Sequence, residues 1–217
     1  MDVEKARFNM VEQQIRPWEV LDPNVLDLLF AVRREEFVPE GYQSFAFADM
    51  EIPLGHGEVM LPPRLEARLL QELDVKKTDK VLEVGTGSGY LTALLAHAAW
   101  HVYSVEIVPE LKTRAEERLK AHGIANVTLE EGDAAGGWPR HAPYDVIVLT
   151  GSVPVLPEVF RQNLNLGGRL LAVVGDAPAM EAKLVTCVAE GVYRTTDLFE
   201  TSIPSLRNAQ QPQRFVF

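Results

Sequence analysis

The chain has one cysteine, Cys187, in 217 residues. A lone thiol cannot close an internal disulfide, which excludes a disulfide-stapled scaffold and suits a reducing compartment. Cys187 lies in the strand-like run Leu184-Val185-Thr186-Cys187-Val188 and reads as a small core residue. Positive charge is also scarce: 21 Lys and Arg stand against 31 Asp and Glu, a formal net charge of −10. That balance argues against nucleic acid as a partner. No apolar run approaches the roughly eighteen residues of a membrane span, so no membrane is expected. Met1–Arg7 lacks the basic-then-apolar pattern of a signal peptide, so a cytoplasmic protein is the expectation. The five histidines, His56, His97, His101, His122 and His141, show no metal-ligand spacing, and no metal site is expected. Internal repeats and low-complexity segments are missing too.

What is present is an ordinary globular composition, 47% hydrophobic and 24% charged. It fits one domain over residues 1–217. Apolar spacings predict a helix over 2–16, stopped at Arg16-Pro17, and a second from Asp22-Pro23 to about Arg33. Tyr42, Phe45 and Phe47 are expected to be core. Asp49–Pro63, rich in breakers, reads as a long and therefore functional loop, and a helix follows over Pro63–Leu73.

From residue 79 strands and helices alternate. Strands are expected at Val81–Val84, Val102–Glu106, Asn126–Leu129, Tyr144–Thr150 and Arg169–Val174. Helices are expected up to Ala99 and over Pro109–Ala121 and Leu156–Leu164. This is an α/β, Rossmann-like, doubly wound and mostly parallel sheet. Residues 1–78 form an N-terminal helical and loop subdomain, 79–182 the core, and 183–217 the C-terminal strands. These last hold an antiparallel hairpin, Lys183–Ala189 and Tyr193–Phe199, and a short strand at Arg214–Phe217.

The stretch Val81-Leu82-Glu83-Val84-Gly85-Thr86-Gly87-Ser88-Gly89-Tyr90 is strand, glycine turn, helix. Alternate glycines let a ligand approach the backbone, and the helix start offers free N–H groups. Glu83, Glu106 and Asp133 stand at the carboxyl ends of neighbouring strands, where this architecture binds ligands. The spacing Gly-x-Gly-x-Gly differs from the Gly-x-Gly-x-x-Gly of dinucleotide folds. A glutamate two residues before it would repel pyrophosphate and hold an ammonium group, which favours S-adenosylmethionine over NAD.

Val81–Tyr90 resembles motif I of class I methyltransferases. More narrowly, the chain resembles the bacterial protein-L-isoaspartate O-methyltransferases. The matching stretches include Met10–Pro17, Arg34-Glu35-Glu36-Phe37-Val38-Pro39, Ile52–Gly57, Gly132-Asp133 with Gly137-Trp138-Pro139, His141–Asp145 and Leu166–Leu170. The resemblance implies the class I fold and methyl transfer from S-adenosylmethionine, leaving S-adenosylhomocysteine. The acceptor it implies is the side-chain carboxylate of L-isoaspartyl residues in damaged proteins. It implies cofactor residues at Glu83, Gly85, Thr86, Gly87, Ser88, Gly89, Glu106 and Asp133, with Ile107 and Ala134 beside them.

After Pro-Leu-Gly-x-Gly the family usually reads Gln-Thr-Ile-Ser, with hydroxyls beside the reacting carboxylate. Here the run is Glu58-Val59-Met60-Leu61, so Val59 and Leu61 replace the Thr and the Ser. Losing a hydrogen bond to a charged group costs about 1.5–3 kcal/mol, or roughly one to two decades of rate apiece. His56, Met60, Leu61, Thr150 and Ser152 are the acceptor-side candidates, with Thr150 and Ser152 as sources of the missing hydroxyls. Two further readings are a methyltransferase of this fold with a less polar acceptor and a non-catalytic S-adenosylmethionine-binding protein.

Overall fold

A computed structural model describes residues 2–212, so the strand expected at Arg214–Phe217 lies outside the described residues. Asp2 caps helix α1 (Val3–Met10) by accepting from the Lys5 N–H at 3.1 Å. The helix widens into a π turn, Val11–Ile15, and tightens at Arg16–Trp18 where Pro17 stops it. Asp22 caps α2 (Pro23–Ala31) through the Asn24 N–H, with proline in the first turn as expected.

Asp49–Pro63 is not structureless. It contains an antiparallel hairpin, β1 (Ile52–Gly55) and β2 (Glu58–Met60), closed by His56 and Gly57 at positive φ of 58° and 84°. Two such residues make the turn whose twist suits a two-residue hairpin. Pro53, Gly55 and Gly57 hid these strands, because all three depress strand propensity. Tyr42 and Phe45 are exposed, contrary to expectation; a short turn at Gln43–Phe45 turns both outward and only Phe47 is buried.

Helix α3 (Pro63–Leu73) leads to β3 (Lys80–Val84). Then follow α4 (Tyr90–Ala98), β4 (His101–Glu106), α5 (Pro109–Ala121), β5 (Val127–Glu131) and β6 (Tyr144–Leu149). Last come α6 (Glu158–Gln162), β7 (Leu164–Asp176), β8 (Ala179–Ala189) and β9 (Val192–Thr201). Strand β7 starts at Leu164, earlier than Arg169, because Leu164 pairs with Tyr144 across a bulge and so shortens α6.

The seven strands run β5-β4-β3-β6-β7-β8-β9, with β3 to β7 parallel and β8 and β9 antiparallel. The chain leaves β3 toward β4 on one side and β6 lies on the other, so the strand ends open a crevice at β3. Side chains alternate along each strand. Val81, Val146, Val148 and Leu171 join α1 to α5 in one core; Leu82, Ile147, Leu170 and Phe160 of α6 form the other. No helix among the described residues is long and apolar enough to cross a membrane.

One ion pair fastens the N-terminal elements to this frame. Fully buried Arg34 pairs with Glu66 of α3 and donates to the Ala46 and Leu61 carbonyls, the last at 2.6 Å. Burial pushes Glu66 up to about 7 against the pull of Arg34. Glu66→Ala leaves the guanidinium buried without its anion and should lower unfolding free energy by about 3–5 kcal/mol. Urea denaturation measures it, and a loss below about 1 kcal/mol would show that water reaches the pair.

Candidate functional site

Strand β3 ends at Val84, and Gly85, Gly87 and Gly89 then take φ of +97°, +53° and +85°. At Gly85 the requirement is steric as well: a Cβ there would land on the Thr150 hydroxyl at the end of β6. That hydroxyl donates toward the Val84 and Gly85 carbonyls, at 2.9 and 2.8 Å, and holds the loop against β6. Gly89 caps α4, and a Cβ on it would press on Ala115 of α5 at 3.3 Å.

The three acidic residues differ in what they hold. Glu83 is in register with Ser104 of β4 and points beneath α4, so it is fully buried rather than a solvated strand end. Its Oε2 accepts from Thr92 at 2.5 Å and Ser104 at 2.6 Å, while Oε1 is buried without a hydrogen-bond partner among the described residues. Burial raises its pKa from 4.5 to about 8, against the pull of the Ser104 and Thr92 hydroxyls. Nearby Glu106 and Glu66 push the same way as burial.

Glu106 ends β4 as a backbone clamp. Its Oε2 accepts from the Gly87 N–H at 2.8 Å and its Oε1 from the Val108 N–H at 3.0 Å. Each oxygen keeps a lone pair for a ligand hydroxyl. Asp133, beyond β5, accepts from the Ala135 N–H at 3.0 Å and from the Asn208 side chain at 2.8 Å.

These groups meet in two cavities that share Val59, Leu61, Gly85, Gly87 and Thr150. The larger is walled by Glu106, Ile107, Asp133 and Ala134, and the smaller reaches Met60, Glu83, Thr86 and Ser88. The sequence-derived cofactor residues are therefore brought together, with Gly89 just behind them. Val59 of β2 and Leu61 just after it face the glycine loop across the cleft, with Arg34 holding the Leu61 carbonyl.

Three acceptor-side expectations need correction. Ser152 is fully buried, donates to the Ile203 carbonyl at 3.1 Å and lines neither cavity. Thr150 lines both cavities, but its hydroxyl proton is committed to the backbone. His56 sits exposed at the hairpin tip, and only its carbonyl reaches the site's border, accepting from Arg207. None of these side chains replaces the lost hydroxyls.

The family resemblance points to the C-terminal region as closing over substrate, but the role of residues 201–213 in this chain could not be read from the sequence. After β9 the chain returns along the loop beyond β6. Ser152 donates to the Pro204 carbonyl and Leu206 to the Ser152 carbonyl, both at 2.9 Å. This sets Pro204 to Arg207 across the cleft. No periodicity marks such a strap, so the residues it brings to the cleft had no local signal. Ser104 was findable: it precedes the end of β4 by the same two residues that place Glu83 before the glycine loop, so a parallel register puts the pair side by side.

Comparison with known proteins adds an independent line. The profile of the protein-L-isoaspartate(D-aspartate) O-methyltransferases matches residues 5–203. Protein-L-isoaspartate O-methyltransferase 2 of Pelobacter propionicus is 38% identical over 196 residues, covering 90% of this chain and 87% of that protein. The protein-L-isoaspartate O-methyltransferase of Anaeromyxobacter dehalogenans is 41% identical over 181 residues, 82% and 87% of the two chains. A solved protein-L-isoaspartate O-methyltransferase superposes with a TM-score of 0.79 at 25% identity over 94% of this chain, which spans 65% of that chain's length. A Plasmodium falciparum protein solved with S-adenosyl-L-homocysteine superposes with a TM-score of 0.80 at 20% identity, covering 95% and 99% of the two chains, a likeness of fold.

Gly85→Ala forces a side chain into positive φ and onto Thr150, and should cost about 1–3 kcal/mol in thermal or urea unfolding. A neutral outcome would mean that the loop moves freely away from β6. The raised pKa of Glu83 also has a sign. The folded state keeps a proton that the unfolded chain releases above about 4.5, so this group's stabilisation is complete at low pH. It is lost as pH rises toward about 8. Denaturation of ligand-free protein between about pH 5 and 8 should show wild type declining more steeply than Glu83→Gln, by up to about 1.4 kcal/mol per pH unit. Equal slopes would mean that Glu83 is ionised in the fold.

Proposed function

The chain belongs to the protein-L-isoaspartate(D-aspartate) O-methyltransferase family, and we propose that it transfers a methyl group from S-adenosylmethionine to isoaspartyl residues of aged proteins. One arrangement carries the reading: an orphaned buried carboxyl, a clamped strand-end carboxylate and Asp133 surround a glycine loop that faces the β2 segment. In an isoaspartyl residue the chain runs through the β-carboxyl. The group left free is the α-carboxylate, which stands where a side chain would.

The residues present fit the cofactor. Glu83 Oε1, buried without a partner, suits an ammonium group, whose charge would favour ionisation there. Glu106 retains acceptor capacity for ribose hydroxyls, and Asp133 with Ala134 offers an acceptor and a small wall for a purine edge. When bound, S-adenosylmethionine supplies a methyl group on positively charged sulfur. The acceptor carboxylate has a pKa of about 4 and needs no base at neutral pH. The protein's part is alignment and exclusion of water: the glycine loop sets one side, and Val59 and Leu61 set an apolar other side.

The apolar pair Val59 and Leu61 favours a second reading, a less polar acceptor for the same chemistry. Incubation with labelled S-adenosylmethionine and an isoaspartyl peptide separates the two. The expected outcome is base-labile methyl ester on the isoaspartyl peptide and none on its aspartyl counterpart. Leu61→Ser should then raise kcat/KM by roughly tenfold or more through a restored hydrogen bond. No base-labile label at high enzyme concentration would sink the isoaspartyl reading. A wild-type rate that is already high and unmoved by Leu61→Ser would dismiss the role given to the loop.

A further inference from the structure

Loss of both loop hydroxyls leaves an anionic acceptor without an evident partner. Glu58, Glu106 and Asp133 border the larger cavity, whereas burial holds Glu83 and Glu66 at the smaller one toward their neutral forms. A carboxylate entering this field is repelled unless a cation meets it. Among the described residues lining either cavity, one is a cation: Arg207 on the C-terminal strap. We propose that Arg207 is the acceptor-binding residue of this site, gripping the free carboxylate of the isoaspartyl residue in place of the missing hydroxyls; this rests on the acceptor class proposed above.

The geometry carries the inference in three steps. First, Arg207 already holds a carboxylate. Its Nε donates to Glu58 Oε1 at 2.5 Å, and its Nη2 donates to the His56 carbonyl. Glu58 immediately precedes Val59, so the stand-in anion comes from the same segment that faces the glycine loop. Second, the grip is exchangeable. The two side chains are 42% and 30% exposed, and an ion pair that open to water is weak. Three of the five guanidinium donors are left without a partner among the described residues, enough for a second carboxylate in fork geometry. Third, the arginine is delivered by a fixed backbone. The residue before it is tied to Ser152 by the Leu206 N–H at 2.9 Å, and its side chain closes on Gly151, where a Cβ would stand 2.8 Å from Leu206 Cδ2. Arg207 therefore stands at the cleft with its reach already directed toward β2.

Binding tests this without depending on turnover. An isoaspartyl hexapeptide, and the same peptide with its free carboxylate converted to the amide, are titrated calorimetrically into protein saturated with S-adenosylhomocysteine. Arg207→Ala should weaken the carboxylate peptide by about tenfold or more and leave the amide peptide unchanged. Arg207→Lys should recover part of the loss. Glu58→Gln, which removes the competing anion, should tighten the carboxylate peptide by roughly two- to threefold. Affinity for S-adenosylhomocysteine should stay within about twofold throughout, since a merely structural strap would lose it in step. Unchanged carboxylate affinity in Arg207→Ala overturns the proposal, and so does a parallel loss for the amide peptide or for S-adenosylhomocysteine. Binding that needs Arg207 without methyl transfer sinks the proposed reaction and leaves the anchor standing. Methyl transfer with Arg207-independent binding does the reverse, and no binding of the isoaspartyl peptide by wild type overturns both.

Discussion

Burial of one carboxyl group near the end of β3, the middle strand of the five parallel ones, organises the site. Glu83 occupies the position between the two crossovers, where the sheet has a neighbour on each side and α4 above. Two hydroxyls satisfy one of its oxygens and, among the described residues, nothing satisfies the other. Such a group holds a proton or waits for a cation, and both states cost folding free energy that the surrounding frame must offset. The frame is correspondingly rigid: β3 is paired on both sides, the glycine loop is sewn to β6 through Thr150, and Glu106 grips the loop from β4.

The acceptor side depends on parts distant in sequence. Arg34 reaches Leu61 and Glu66 from the turn after α2, so the N-terminal region sets the depth of the β2 segment. The strap after β9 reaches the same segment from the other direction, through Arg207 to Glu58 and His56 and through Asn208 to Asp133. The cleft is thus a junction of three chain regions, each contributing groups the others lack. Donors removed from β2 by Val59 and Leu61 have a counterpart on the strap, although the two are nearly 150 residues apart.

Errors in reading the sequence fall where local signals conflict. The hairpin at Ile52–Met60 contains a proline and two glycines, and its pairing is a cooperative property that single-residue propensity does not carry. Tyr42 and Phe45 are apolar in composition but sit on a tight turn that has no interior. Ser152 and Thr150 carry the right chemistry near the right strand, yet backbone carbonyls claim both hydroxyls. Which partner a hydroxyl finds depends on what folds beside it, and that was the strap.

The sequence by itself determined the alternation of strands and helices, the glycine loop, and the three acidic residues at strand ends. These are local or periodic features, and the parallel sheet places strand ends together whatever the side chains do. The burial of Glu83, the direction of the Ser152 and Thr150 hydroxyls, and the arrival of Arg207 at the acceptor side were decided only by tertiary structure. Each is a matter of which distant segments become neighbours, and irregular backbone such as 203–209 leaves no period from which that could be read.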